Sequence, residues 1–231
     1  AFADATLYLP TQRACRLVRD SFIDLLGSDA AILPRIVALG ELDEDEIAFA
    51  SMAAGALAAD ALSMPEGFGG LERRMLLAEL VRKWAAQPDV RTATGAPLVA
   101  NSPAAALALA DDLARLIDDM VTRQVPWDRL DELVPDAFDP YWQLTLRFLK
   151  IAREYWPAML AERGRIEPAA RRDLLIAAEA KRLAEKRDGP VIAAGSTGSM
   201  PATAELIATI AKLPHGAVVL PGLDTDLDDG S

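Results

Sequence analysis

The turn Leu9-Pro10-Thr11-Gln12-Arg13-Ala14 sets a hydroxyl and a guanidinium between a β-type run, Thr6-Leu7-Tyr8-Leu9, and a helical one. A turn of this kind lies at the carboxyl end of a strand, where open α/β sheets bind ligands. The free N–H groups of the helix start, together with Thr11 and Arg13, could hold a phosphate there. The plainer alternative makes Thr11 an N-cap and Arg13 a solvated first-turn residue. A second turn, Ala194-Gly195-Ser196-Thr197-Gly198-Ser199, also follows a β-type run and precedes a helix. It has glycines and small hydroxyls but no Lys. It therefore reads as a βα turn capped by Ser199, with Pro201 opening the helix, rather than as a triphosphate loop. No Gly-x-x-x-x-Gly-Lys-Ser/Thr occurs in the chain, so it carries no phosphate-cradling P-loop.

Other chemistries find little material. One cysteine, Cys15, and one histidine, His215, exclude a disulfide framework and a Cys/His zinc site. His215 sits in a Leu-Pro-His-Gly turn with no Ser or Cys placed to use it as a base, which argues against a hydrolase of the Ser-His or Cys-His kind. The acidic clusters Asp43 to Glu46, Asp111-Asp112, Asp118-Asp119 and Asp224 to Asp229 invite a metal reading. Asp224-x-Asp226-x-Asp228 lacks the Gly and distal Glu of a calcium loop, and the paired aspartates fall on a helix face broken by Arg115, so solvated faces and a tail are expected. Leu146 to Arg187 carries 11 Lys and Arg against six Asp and Glu. That local basic surface could track phosphates, or could be neutralised by i,i+4 pairing with its own glutamates. Trp142, Tyr155 and Trp156 are aromatic neighbours of this block and are expected in the core rather than as a platform for bases.

The elements that must position these residues follow a simple order. Thr6–Leu9 and Pro34–Leu39 read as strands, with a helix from Thr11 to Gly27 between them. Helical spacing then dominates over Gly70–Gln87, Ser102–Arg123, Pro140–Arg163 and Glu167–Arg187, and Ser102-Pro103 is a strong helix start. Past Asp188-Gly189-Pro190 the pattern returns to a strand at Val191–Ala194, a helix over Pro201–Lys212 and a strand at Ala217–Leu220. Strands alternating with helices predict a parallel sheet with helices packed on it, and the long helical block predicts an inserted subdomain. The expected division is 1–40 with 188–231 as the α/β domain and 41–187 as the helical insertion.

Composition agrees with a folded protein: 231 residues, 52% hydrophobic, with 24 basic and 35 acidic residues for a net charge of −11. The length can bury a real core. No apolar run approaches the ~20 residues that cross a bilayer, and Asp4 stands where a secretion signal would be basic, so a cytoplasmic protein without membrane contact is expected. The absent initiator Met and the acidic, patternless Leu223–Ser231 suggest a piece of a longer protein.

The order of motifs resembles a known architecture. A strand, Pro10-Thr11-x-Arg13-Ala14 and a helix look like motif Ia of superfamily 1 helicases, and Val191 to Pro201 with the strand after it looks like their Walker B and motif III segments. In those enzymes Asp-Glu ends the Walker B strand to hold magnesium and activate water; Ala194 and Gly195 stand there in this chain. With Leu33-Pro34-Arg35-Ile36-Val37-Ala38-Leu39-Gly40-Glu41, Tyr141-Trp142-Gln143-Leu144 and Gly195-Ser196-Thr197-Gly198-Ser199-Met200-Pro201, nearly the whole chain resembles the amino-terminal region of alphaproteobacterial AddB subunits of AddAB helicase-nucleases.

The resemblance implies a RecA-like, superfamily 1 helicase-like parallel sheet with a large all-helical insertion. It implies a role in double-strand break repair and homologous recombination, guiding or recognising DNA and docking an AddA-like helicase-nuclease subunit. Thr11 and Arg13 would contact DNA, single-stranded or at a duplex end; Ala194 and Gly195 would mark an inactive ATPase site. The chain alone is expected to be non-catalytic, without cofactor or metal, within an ATP-dependent complex. The family's iron-sulfur cluster needs about four thiolates, which one cysteine cannot supply. Two rivals remain open: a helical interaction scaffold that touches no DNA, and a nucleotide-hydrolysing fragment.

Overall fold

Four short strands alternate with helices along the chain, and all four join one parallel sheet in the order β2-β1-β3-β4. The computed structural model describes residues 2–27, 32–39, 63–91, 95, 99, 102–130, 140–185 and 189–222. The strands are β1 (Thr6–Leu9), β2 (Arg35–Ala38), β3 (Val191–Ala194) and β4 (Gly216–Val219). Helices α1 (Gln12–Leu26) and α7 (Pro201–Ala211) make the two crossovers; α2 (Gly70–Ala85), α3 (Pro103–Thr122), α4 (Pro140–Lys150), α5 (Trp156–Glu162) and α6 (Pro168–Glu185) lie between.

The chain divides into two compact units, Ala1–Met64 with Arg172–Ser231, and Pro65–Arg171. The expected insertion ran over 41–187, but α6 from Arg172 onward counts with the sheet. The reason is packing: Ile176, Ala180 and Leu183 share a buried cluster with Tyr8, Val191 and Ala193 of the sheet.

In the sheet unit, Thr6 pairs with Arg35 on one side and Val191 on the other, and Val191 pairs with Gly216. From the central pair β1–β3, one crossover moves outward to β2 and the other outward to β4. Connections of one hand moving in opposite directions must place their helices on opposite faces. Accordingly, Leu9 and Ala38 pack with Cys15 of α1, while Tyr8, Val191 and Ala193 pack with Leu206 and Ile210 of α7. Neighbours Tyr8 and Leu9 point to opposite faces because side chains alternate along a strand. The result is an α/β protein with a parallel sheet and mostly helical content.

The helical unit has its own core, built on Leu77, Val81, Trp84, Leu113, Ile117 and Trp156. Ser102 caps α3, its hydroxyl accepting from Ala105 N–H at 3.1 Å with Pro103 in the first helical position. The single helix expected over Pro140–Arg163 is interrupted: residues Ile151–Tyr155 form a π-helical turn between α4 and α5. That turn rotates Tyr155 out to 46% exposure beside the fully buried Trp156, so Tyr155 is not the core residue expected. The side chains of Tyr141 and Trp142 lie outside the described residues, as do Asp43–Glu46 and Asp224–Asp229.

Candidate functional site

The two crossovers part between β1 and β3, and a crevice outside the carboxyl ends of those strands is where such sheets take ligands. One lip is the β1–α1 turn. Thr11 is extended (φ −142°, ψ 159°) and its hydroxyl oxygen accepts from Ala14 N–H at 3.2 Å, so it is the N-cap of α1. Its own O–H is left to donate outward. Thr11 and Arg13 are both exposed, and no partner for Arg13 is found among the described residues.

The other lip is the β3–α7 turn. Gly195 leaves the strand with φ +77°, its N–H donating to Val219 O at 2.9 Å. A Cβ added to Gly195 would stand 3.5 Å from Pro10 Cδ, which shows the two turns in near contact. Ala194 packs its methyl against the Leu9, Cys15 and Ala38 cluster. Neither position offers a carboxylate, and a positive φ at Gly195 disfavours any residue with a side chain. Ser196 accepts from Gly198 N–H at 3.4 Å and closes a local turn. The cap of α7 is Met200, which makes no side-chain hydrogen bond, and not Ser199. Proline at the first helical position fixes the cap one residue before it, which leaves Ser199 a residue too early.

Beneath this edge lies a buried polar group that the sequence did not announce. Tyr8 on β1 donates its O–H to Glu179 Oε1 on α6. Arg182 donates to the same carboxylate twice, Nε to Oε2 at 2.7 Å and Nη2 to Oε1 at 2.8 Å, and Arg35 of β2 stands 3.8 Å away. Burial pushes the Glu179 carboxyl up, but the bonds from Arg182 and Tyr8 and the two arginine charges outweigh it and hold it below the usual Glu range. Burial and the Glu179 charge push the Tyr8 hydroxyl well above its ordinary range. These bonds anchor α6 to the sheet.

In the helical unit the expected acidic faces are paired. Asp111, Asp112, Asp118 and Asp119 lie against Arg74, Arg115, Arg73 and Arg123. The basic stretch is neutralised mainly across the unit and not by i,i+4 pairs: Arg147 meets Asp89, Arg153 meets Asp128 and Arg165 meets Glu66. Glu167, buried at the start of α6, accepts from the Trp156 indole N–H and stands 3.0 Å from Arg73 Nη2. Burial pushes its carboxyl above the usual Glu range, and the Arg73 charge offsets this only in part.

A scan against protein-family models finds no match, and a search of curated proteins finds none either. Among the described residues no helix is long and apolar enough to cross a membrane.

Proposed function

We propose that this chain is a RecA-like, AddB-like helicase domain that has lost catalysis and guides or recognises DNA for an AddA-like helicase-nuclease in double-strand break repair. Thr11 and Arg13 contact a single strand, and Ala194-Gly195 is the remnant of a magnesium site. The observation that carries the reading is the meeting of these two turns at the switch point of the sheet, with an exposed hydroxyl and an exposed guanidinium on one lip and, at Ala194 and Gly195, no carboxylate on the other. Phosphate contacts of this kind position a strand and carry little sequence information.

The test is fluorescence anisotropy of a labelled single strand with the purified chain. Arg13→Ala should weaken binding by about fivefold or less, the worth of one wet charged contact, with little change in fold stability because Arg13 is exposed and has no partner among the described residues. Thr11→Ala should weaken binding and also cost about 1 kcal/mol of stability through the lost cap, and Thr11→Ser should restore both. Unchanged affinity in Thr11→Ser, Thr11→Ala and Arg13→Ala alike would favour the interaction scaffold. The chain should release no phosphate from magnesium-ATP, since neither Ala194 nor Gly195 can coordinate the ion or orient water. Steady turnover abolished by Ala194→Arg would overturn that expectation.

A further inference from the structure

Helix α1 carries more apolar surface than the sheet covers. Its only buried residue is Cys15, which packs with Leu9 and Ala38, while Leu17 and Leu25 are 67% and 84% exposed. Residues four apart are neighbours along one side of a helix, so Arg13, Leu17, Ser21 and Leu25 form a single exposed row. Ser21 is no polar obstacle in that row, because its hydroxyl donates to Leu17 O of the same helix at 2.9 Å.

The charges of α1 are sorted along its length. Arg13, Arg16 and Arg19 stand in its amino-terminal half, Asp20 and Asp24 in its carboxyl-terminal half. A helix dipole favours the reverse, with acids near the start and bases near the end. Asp20 and Asp24, four apart, also repel each other. Arg19 is used within the unit, its guanidinium donating to Ile36 O of β2 at 3.4 Å. Arg13, Arg16, Asp20 and Asp24 are exposed, and none of the four makes an ion pair among the described residues. The order that disfavours α1 by itself suits a second α1 laid antiparallel beside it, because the basic half of each helix then lies along the acidic half of the other.

We propose that the exposed row of α1 is a self-association surface, on which α1 of a second copy of this chain packs antiparallel about a twofold axis. Such an interface is isologous. Leu17 of each copy sits over Ser21 of the other, a large side chain against a small one, and Arg13 of each meets Asp24 of the other. Repulsion between two chains of net charge −11 is screened beyond ~8 Å at physiological salt, whereas the contacts of Arg13 with Asp24 act within that range. One helix from each copy makes a small interface, so the pair is weak and in equilibrium with monomer. This association goes beyond the strand contact of Thr11 and Arg13, and it competes with that contact for Arg13.

Sedimentation velocity of the whole chain over a concentration series at physiological salt tests it. The parent should pass from monomer to dimer as concentration rises. Leu17→Glu with Leu25→Glu should abolish the dimer and leave the thermal midpoint unchanged, since both leucines are exposed in the single chain. Asp24→Arg and Arg13→Asp should each raise the dissociation constant by about two- to thirtyfold, the worth of a surface ion pair that occurs twice. The chain carrying both charge changes keeps the pairing with its signs exchanged and should dimerise as the parent does. A parent that stays monomeric at every concentration overturns the proposal and leaves the row to another segment or a different protein. A dimer that survives Leu17→Glu with Leu25→Glu places the interface elsewhere and overturns it too. A double charge variant no tighter than the single ones overturns the antiparallel arrangement.

Discussion

Glu179 and Glu167 show how the same side chain, buried in two settings, acquires opposite acid behaviour. Glu179 has two arginines and a tyrosine hydroxyl around it, and its folded carboxyl lies below the ordinary value of 4.5. Its contribution to stability is therefore complete above that value and is lost as pH falls through the folded one. Glu167 has Arg73 and the Trp156 N–H, Asp118 adds repulsion, and burial wins, so its folded carboxyl lies above 4.5. The fold favours its neutral form, and its contribution to stability declines as pH rises from 4.5 through the raised value. Urea denaturation across acid and neutral pH checks both. The advantage of the parent over Glu179→Gln should shrink on acidification, whereas the parent should lose ground against Glu167→Gln as pH rises. Removing the Glu179 charge altogether with Glu179→Leu should cost about 3 to 5 kcal/mol, because Arg182 and the Tyr8 hydroxyl would be left under the sheet without a partner. None of this was legible in the sequence: Tyr8 and Glu179 are 171 positions apart, and only the sheet brings them together. Thr11 and Ser102, whose bonds reach three residues, were legible as caps.

At the scale of elements, what could be read were segments whose own pattern decides their state. Thr6–Leu9 and Val191–Ala194 have the bounds that their apolar runs predict, and the outer strands Arg35–Ala38 and Gly216–Val219 differ from the expected ones by a residue at each end. Partner choice among parallel strands followed from the alternation of strand and helix, not from any pairing signal. The π turn was not legible, since Pro140–Arg163 keeps helical spacing throughout and the extra residue in the turn is set by packing around Ile151 and Trp156. Gly216 shows the same limit. It reads as a residue before a strand, but a Cβ there would lie 1.8 Å from Ile210 O, at the tight passage from α7 into β4. Gly216→Ala should therefore force α7 and β4 apart and cost about 1 to 3 kcal/mol, the usual penalty of overpacking. Thermal unfolding followed by circular dichroism checks it, and a midpoint equal to the parent's would show that the passage can relax.

At the scale of the whole molecule, a chain of net charge −11 repels DNA, so any affinity must come from a few local contacts. Most described arginines are spent internally, against Asp89, Asp111, Asp118, Asp128 and Glu179 among others, and in Leu146–Arg187 this holds for Arg147, Arg153, Arg165, Arg172 and Arg182. The sequence shows the excess, but three of the acids that meet it, Glu66, Asp89 and Asp128, come from outside that stretch, in segments flanking α2 and α3. Arg13 has no partner among the described residues, and it is the cation that the proposed strand contact uses. Each phosphate neutralised on a single strand contributes about −0.7 to the slope of log affinity against log salt. The parent should bind weakly with a slope of about −0.7 to −3, and Arg13→Ala should make that slope shallower by about 0.7. Anisotropy titrations at several salt concentrations check this: parallel lines for Arg13→Ala and the parent would remove Arg13 from the phosphate contact, whatever its effect at one salt.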